Sequence, residues 1–145
     1  MTDPTAPDGI ILFAHGSRDP LWRAPIEAVA TRIRATSGQA HVSCAYLELC
    51  EPSLPDACNS MLQTLRNAID SVALSAESTR ADSQKSIKIR IVPMFLGMGK
   101  HAREDLPQLA AQLRQDHPEV AFEIMATVGE DERVTALLAQ IATAA

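Results

Sequence analysis

The sequence predicts an α/β fold of repeating strand-helix units around a four-stranded parallel sheet. Two observations predict it. Four short runs rich in Ile, Val, Leu, Ala or Phe recur along the 145 residues, and each is followed by a stretch with apolar residues at helical spacing. Strands that alternate with helices pair in parallel through right-handed crossovers, which puts helices on both faces of the sheet. All strand carboxyl ends then share one rim, where open α/β sheets form their ligand crevices.

The first strand is read in "GIILFA" (Gly9 to Ala14), which stops at His15 before the turn residues Gly16, Ser17, Asp19 and Pro20. A helix follows from Leu21 to Thr36, with Leu21, Ile26, Val29, Ala30 and Ile33 on one stripe. The second strand is "AHVSCAYLEL", and the helix after it opens with Ser53 as an N-cap candidate. "SAESTRADSQKS", Ser75 to Ser86, is polar and nearly free of large apolar side chains, so 76–86 is read as a surface loop inside one domain spanning 1–145. The third strand, "IKIRIVPMFL", runs into "GMGKH" ahead of the helical "AREDLPQLAAQLRQDH". "EVAFEIMATVG" supplies the fourth strand, and the last helix carries Val134, Leu137, Leu138 and Ile141 on one face.

Composition narrows the function. No apolar stretch is long enough to cross a bilayer, and the amino terminus lacks the basic start and apolar middle of a secretory signal, so a soluble, cytoplasmic protein is expected. The formal charge of -5, with three Phe, one Tyr and one Trp, argues against nucleic-acid binding and for a small-molecule site. Cys44, Cys50 and Cys58 lack the paired spacing of a zinc site and read as small buried residues; Cys50 lies near the proposed site.

Parallel topology brings His15, Glu48 or Glu51, and His101 to one rim. Two imidazoles and a carboxylate suit cobalt, nickel, iron or zinc better than calcium or magnesium, which take more oxygen ligands. Gly16, Gly97 and Gly99 admit two readings: tight turns, or a flat backbone surface against which a wide planar ligand lies. There is no G-x-G-x-x-G after the first strand, no G-x-x-x-x-G-K-[ST] and no G-x-S-x-G, so nucleotide binding and serine hydrolysis are set aside.

"GIILFAHGSRDP", "YLELCEPSLPDA", "IRIVPMFLGMGKHAREDLP" and "ATVGEDERV" together resemble the class II chelatases, in particular the small, single-repeat sirohydrochlorin chelatases of the CbiX type. The likeness covers nearly the whole chain. It implies a chelatase-like, flavodoxin-type three-layer sandwich and the insertion of cobalt or ferrous iron into sirohydrochlorin, on the route to cobalamin or sirohaem. His15 resembles the family's first metal-binding histidine, also its candidate base, and His101 the second. Glu48 stands where larger relatives place an acidic metal ligand, although Glu51 lies close enough to compete; Glu48 is given the metal and Glu51 the substrate. Leu96, Gly97, Met98, Gly99 and Lys100 resemble the substrate-contacting loop. The resemblance also implies a homodimer that rebuilds a two-lobed cleft. Ser75 to Ser86 lengthens a connection that is short in many relatives, and Lys100 stands where members vary.

The chemistry fits these residue types. Metallating a tetrapyrrole means stripping water from the ion, presenting it to four nitrogens and removing two pyrrole protons, and a neutral imidazole, with its pKa near ~6.5, serves as ligand or base. Two imidazoles and one carboxylate hold an ion loosely, leaving positions open for transfer, unlike a closed structural zinc cage. The divalent metal (cobalt, iron or nickel) is then a substrate, and no organic cofactor is called for. Arg18, Arg23, Lys100 and Arg103 lie near the rim, with Arg18 and Lys100 favoured to meet the substrate's carboxylates. A metal-delivery or storage protein and a non-catalytic tetrapyrrole carrier remain open beside the enzyme.

Overall fold

A computed structural model describes residues 5–38, 40–75 and 86–144. The chain runs β1 (Gly9–Ala14), α1 (Pro20–Thr36), β2 (His41–Tyr46), α2 (Leu54–Ser75), β3 (Lys88–Pro93), α3 (Lys100–Asp116), β4 (Ala121–Ile124), a 3-10 turn (Val128–Glu130) and α4 (Glu132–Thr143). The sheet is parallel throughout, in the order β2-β1-β3-β4. Strand order reverses on either side of β1, which is the switch point where such sheets open a crevice. The expected α/β sandwich is the observed one. Of the polar stretch 76–86, all but Ser86 lies outside the described residues, and Ser86 Oγ donates to the Glu119 carbonyl at 3.1 Å.

Local chemistry explains where the elements begin. Asp19 caps α1 by accepting from the Leu21 amide at 2.9 Å, and Pro20 takes the first helical position, where a missing N-H costs nothing. Ser53 caps α2 as expected, its Oγ accepting from the Asp56 amide at 3.3 Å. The third strand stops at Pro93, three residues before its apolar run ends, and α3 begins at Lys100, so His101 sits in a helix's first turn instead of at the end of a glycine loop.

Both faces of the sheet are apolar, but they are covered unequally. On one side Ile11, Phe13, Ala45, Ile89 and Ile91 meet Leu54, Ala57, Cys58, Met61, Leu62 and Leu65 of α2 and Ala102, Leu106 and Leu113 of α3. The α2 residues fall at i, i+3, i+4, i+7, i+8 and i+11, one continuous stripe. Each fully buried Leu or Ile there contributes about 1.5–3 kcal/mol. The other side is smaller: Leu12, Ala30 and Val42 are buried, with Ile26 and Ile33 of α1 packed against them. No described helix is long and apolar enough to cross a membrane.

Candidate functional site

The parallel register places Gly9 beside His41 and Ala14 beside Tyr46. The ladder continues past both strand ends: the Leu47 amide donates to the Ala14 carbonyl at 2.9 Å and the Glu48 amide to the His15 carbonyl at 3.0 Å. Main-chain pairing therefore brings His15 and Glu48 together, with Nε2 and Oε1 3.0 Å apart and both side chains about half exposed (47% and 56%). Gly16 permits that approach. Its φ is +104°, and a Cβ there would stand 1.8 Å from the Glu48 carbonyl oxygen. Gly16 is thus a turn glycine made obligatory by close backbone contact.

From the other side of β1, the Met94 amide donates to the Phe13 carbonyl at 2.7 Å, which carries the segment after β3 onto the same rim. Phe95 is buried edge-on against Phe13, with ring centroids 6.1 Å apart, and this anchor leaves Leu96 67% exposed. Neither Gly97 nor Gly99 has a positive φ, and a Cβ on either would meet nothing within 4 Å. No contact inside the chain demands glycine at these two positions, and the space above them is open. Met98 packs partly on the core, while Lys100 is exposed with its Nζ 3.9 Å from Glu104. His101 is exposed in the first turn of α3. Among the described residues no three His, Cys, Asp or Glu side chains gather closely enough to hold an ion together, so one chain brings His15 to Glu48 and leaves His101 apart on the rim.

Glu51 and Arg23 sit at the β2 edge of the sheet. With Glu27, Arg34, Cys44 and Tyr46 they line a hollow of about 460 Å³ beside β2. Arg18 is exposed just before α1. Burial raises the Cys44 thiol pKa and pushes that of Cys58 up to about 11, so both stay protonated near neutrality; Cys58 is buried, and Cys44 and Cys50 are half-buried.

Sequence reading missed two groups of rim residues. Leu21 and Leu49 are 80% and 51% exposed beside the turns that carry His15 and Glu48, and with Leu96 they edge the rim with apolar surface. A Leu ending an apolar run reads as core, and only the left-handed φ of 67° at Leu49 shows that the chain has already turned. The second group is Thr127 and Gly129. The buried Thr127 hydroxyl lies 2.6 Å from the Phe95 carbonyl and 3.3 Å from that of Pro93, and the Gly129 amide donates to Phe95 at 2.9 Å. A Cβ on Gly129 would lie 1.7 Å from the Leu96 carbonyl oxygen. These residues hold the Leu96 to Lys100 loop from below. The T-x-G pattern after a strand was the available signal.

An imidazole nitrogen and a carboxylate oxygen 3.0 Å apart subtend about 90° at an ion about 2.1 Å from each. That is the angle between adjacent ligands of an octahedron, and such a pair leaves the ion's remaining positions open. The donor set suits a first-row divalent ion.

The CbiX family model matches residues 9–145. The chain is 27% identical over 122 residues to a chloroplastic sirohydrochlorin ferrochelatase of Arabidopsis thaliana, covering 84% of this chain and 45% of the relative. It is 29% identical over 100 residues to a sirohydrochlorin cobaltochelatase of Methanopyrus kandleri, covering 69% and 56%. It spans about half the length of these curated relatives. Among solved structures, a Marinobacter aquaeolei VT8 CbiX protein, provisionally assigned to cobalamin biosynthesis, superposes with a TM-score of 0.62 at 27% identity, covering 94% of both chains. Bacillus subtilis SirB, a sirohydrochlorin chelatase in complex with cobalt, shares the fold, with a TM-score of 0.66 at 20% identity over 97% of this chain and 52% of its own. With nearly the whole chain matched and the fold in agreement, the protein belongs to the CbiX family.

Proposed function

We propose that this chain inserts a divalent metal, cobalt or ferrous iron, into sirohydrochlorin. The observation that carries the reading is the exposed His15–Glu48 pair at the carboxyl rim of the parallel sheet. The names of the matched relatives, sirohydrochlorin ferrochelatase and cobaltochelatase, support the same reaction. The apolar edge made by Leu21, Leu49 and Leu96 suits the face of a macrocycle, and the open space over Gly97 and Gly99 lets a flat ring approach main chain. Arg18 and Lys100 are the cations for its peripheral carboxylates, and Glu51 contacts its margin.

Proton balance follows from the pair itself. Metallation consumes one divalent ion and releases two pyrrole protons. As the ion leaves His15 and Glu48, an imidazole nitrogen and a carboxylate oxygen become free together, two acceptors for two protons. His101 is the second imidazole, and because it lies apart from the pair in one chain, it reaches the ion only across the bound ring or from a second copy. A homodimer with facing rims encloses a broad ring that one rim covers on a single side. The reaction needs no organic cofactor, and three free cysteines suit a reducing cytoplasm.

Absorption spectroscopy of sirohydrochlorin with catalytic amounts of the protein tests this, with Co²⁺ and Fe²⁺ in separate arms. Many turnovers of the metal-free spectrum into the metallated one are expected, faster than the uncatalysed rate. A bound but unchanged spectrum would identify a carrier. Metal binding with no response from the macrocycle would identify a metal store, and either result refutes the enzyme.

A further inference from the structure

Strand β2 is an edge of the sheet, and the hollow of about 460 Å³ opens beside it. Small residues make the room: Ala30 of α1, Ser43 and Cys44 of β2, and Ala57 and Ser60 of α2 line it where larger side chains would close it. Its volume falls within the roughly 300–1,000 Å³ of small-molecule sites. Two buried polar atoms on its lining residues, Tyr46 Oη and Arg23 Nε, have no hydrogen-bond partner among the described residues. Tyr46 is 3% exposed, and burial pushes its pKa up to about 12, so the hydroxyl keeps its proton. The Cys44 thiol is beside it, but sulfur is too weak a partner to satisfy it.

The lining selects the occupant. A paired peptide strand is excluded, because Arg34 Nη2 donates to the Val42 carbonyl at 2.9 Å and the Tyr46 amide to the Pro52 carbonyl at 2.9 Å, which closes the free edge of β2 at both ends. The two unpaired donors, Arg23 Nε-H and the Tyr46 hydroxyl, call for one oxyanion. A simple anion does not suit the rest, since Glu27 and Glu51 balance Arg23 and Arg34 around the same hollow. Among the described residues none of these four is in an ion pair. Glu27 is exposed and stands four residues, about 6 Å, along α1 from Arg23, so a ligand's adjacent anion and cation can reach both.

We infer that this hollow binds a small polar zwitterion of the α-amino-acid class. Its carboxylate accepts from Arg23 Nε and the Tyr46 hydroxyl, its ammonium donates to Glu27, and its side chain extends among the hydroxyls of Thr31, Ser43 and Ser60. The site goes beyond the proposed reaction, which uses neither Glu27 nor Tyr46, and it is separate from the His15–Glu48 pair.

Calorimetry of the whole chain with L-serine and L-glutamine, and separately with acetate and methylamine, tests this. One or both amino acids are expected to bind with a Kd below about 1 mM, and acetate and methylamine at least about tenfold more weakly. Tyr46→Phe and Glu27→Gln are each expected to weaken the bound amino acid at least about tenfold. Urea unfolding supplies a second readout. Without ligand, Tyr46→Phe leaves the midpoint unchanged or raises it, because the hydroxyl it deletes is unpaired. No binding of either amino acid at about 10 mM, acetate or methylamine binding within about tenfold of the amino acid, or unchanged affinity in either variant overturns the site. So does a lowered midpoint in ligand-free Tyr46→Phe, which would show that the hydroxyl already has a partner. No macrocycle enters these measurements, so their outcome and that of the chelatase assay are independent.

Discussion

Gly16→Ala tests whether main-chain pairing builds the His15–Glu48 pair. The new Cβ would start 1.8 Å from the Glu48 carbonyl oxygen, and real Cβ atoms essentially never approach closer than 3.0 Å, so the carbonyl must retreat by about 1.2 Å. That movement breaks the 3.0 Å bond from the Glu48 amide to His15, at a cost of about 1 kcal/mol. Holding a non-glycine residue at φ +104° costs about 1–3 kcal/mol more. Together the loss is about 2–4 kcal/mol, which at a urea m-value of about 1.5 kcal/mol/M lowers the midpoint by roughly 1.3–2.7 M. Cobalt titration of the still-folded variant is expected to show affinity reduced at least tenfold. A midpoint within about 0.3 M of the parent, with cobalt affinity unchanged, would refute the argument that this glycine sets the site.

Four further outcomes are expected. Glu48→Gln lowers Co²⁺ affinity at least about tenfold by calorimetry while the unfolding midpoint holds, and Glu51→Gln leaves the affinity within about twofold. His101→Ala cuts turnover by about 100-fold and, because the side chain is exposed, changes stability by less than about 0.5 kcal/mol. Thr127→Val removes one of two donors to the Phe95 carbonyl, which keeps the Gly129 amide, and destabilises by about 0.5–1.5 kcal/mol; KM for the macrocycle rises while cobalt affinity stays, as expected of a residue that positions the loop. Asp131, the N-cap of α4, is held down to about 2 mainly by its hydrogen bonds with Arg133. A lowered carboxylate pKa stabilises the fold above its unfolded value near ~3.9 and loses that contribution as pH falls toward the folded value. Acid titration followed by circular dichroism should show this loss between about pH 4 and 2, and Asp131→Asn should flatten it.

Much of this was legible in the sequence because it depends on local pattern. The four strand-helix units, the Ser53 cap and the placement of His15 just past a strand all follow from periodicity and turn residues. Which carboxylate meets His15 did not, because it depends on register, and the offset that sets Gly9 beside His41 is fixed only when β1 and β2 pair. Helix α4 shows the other limit. Its apolar stripe was plain, but an amphipathic pattern states that a face is to be covered and not by which surface. Glycines divide the same way: Gly16 and Gly129 are fixed by carbonyl groups distant in sequence, which no local window contains.

On the proposed reaction, the ladder between β1 and β2 also separates two kinds of discrimination. The ion meets His15 and Glu48, whose spacing is set by backbone hydrogen bonds, whereas the macrocycle meets side chains on the loop after β3. Substitutions at Leu96 or Met98 can therefore reshape the preference for ring substituents without moving the metal ligands. Replacing Glu48 can alter the preference for the ion while the ring surface stays as it was. A protein arranged in this way can change its metal and its tetrapyrrole in independent evolutionary steps.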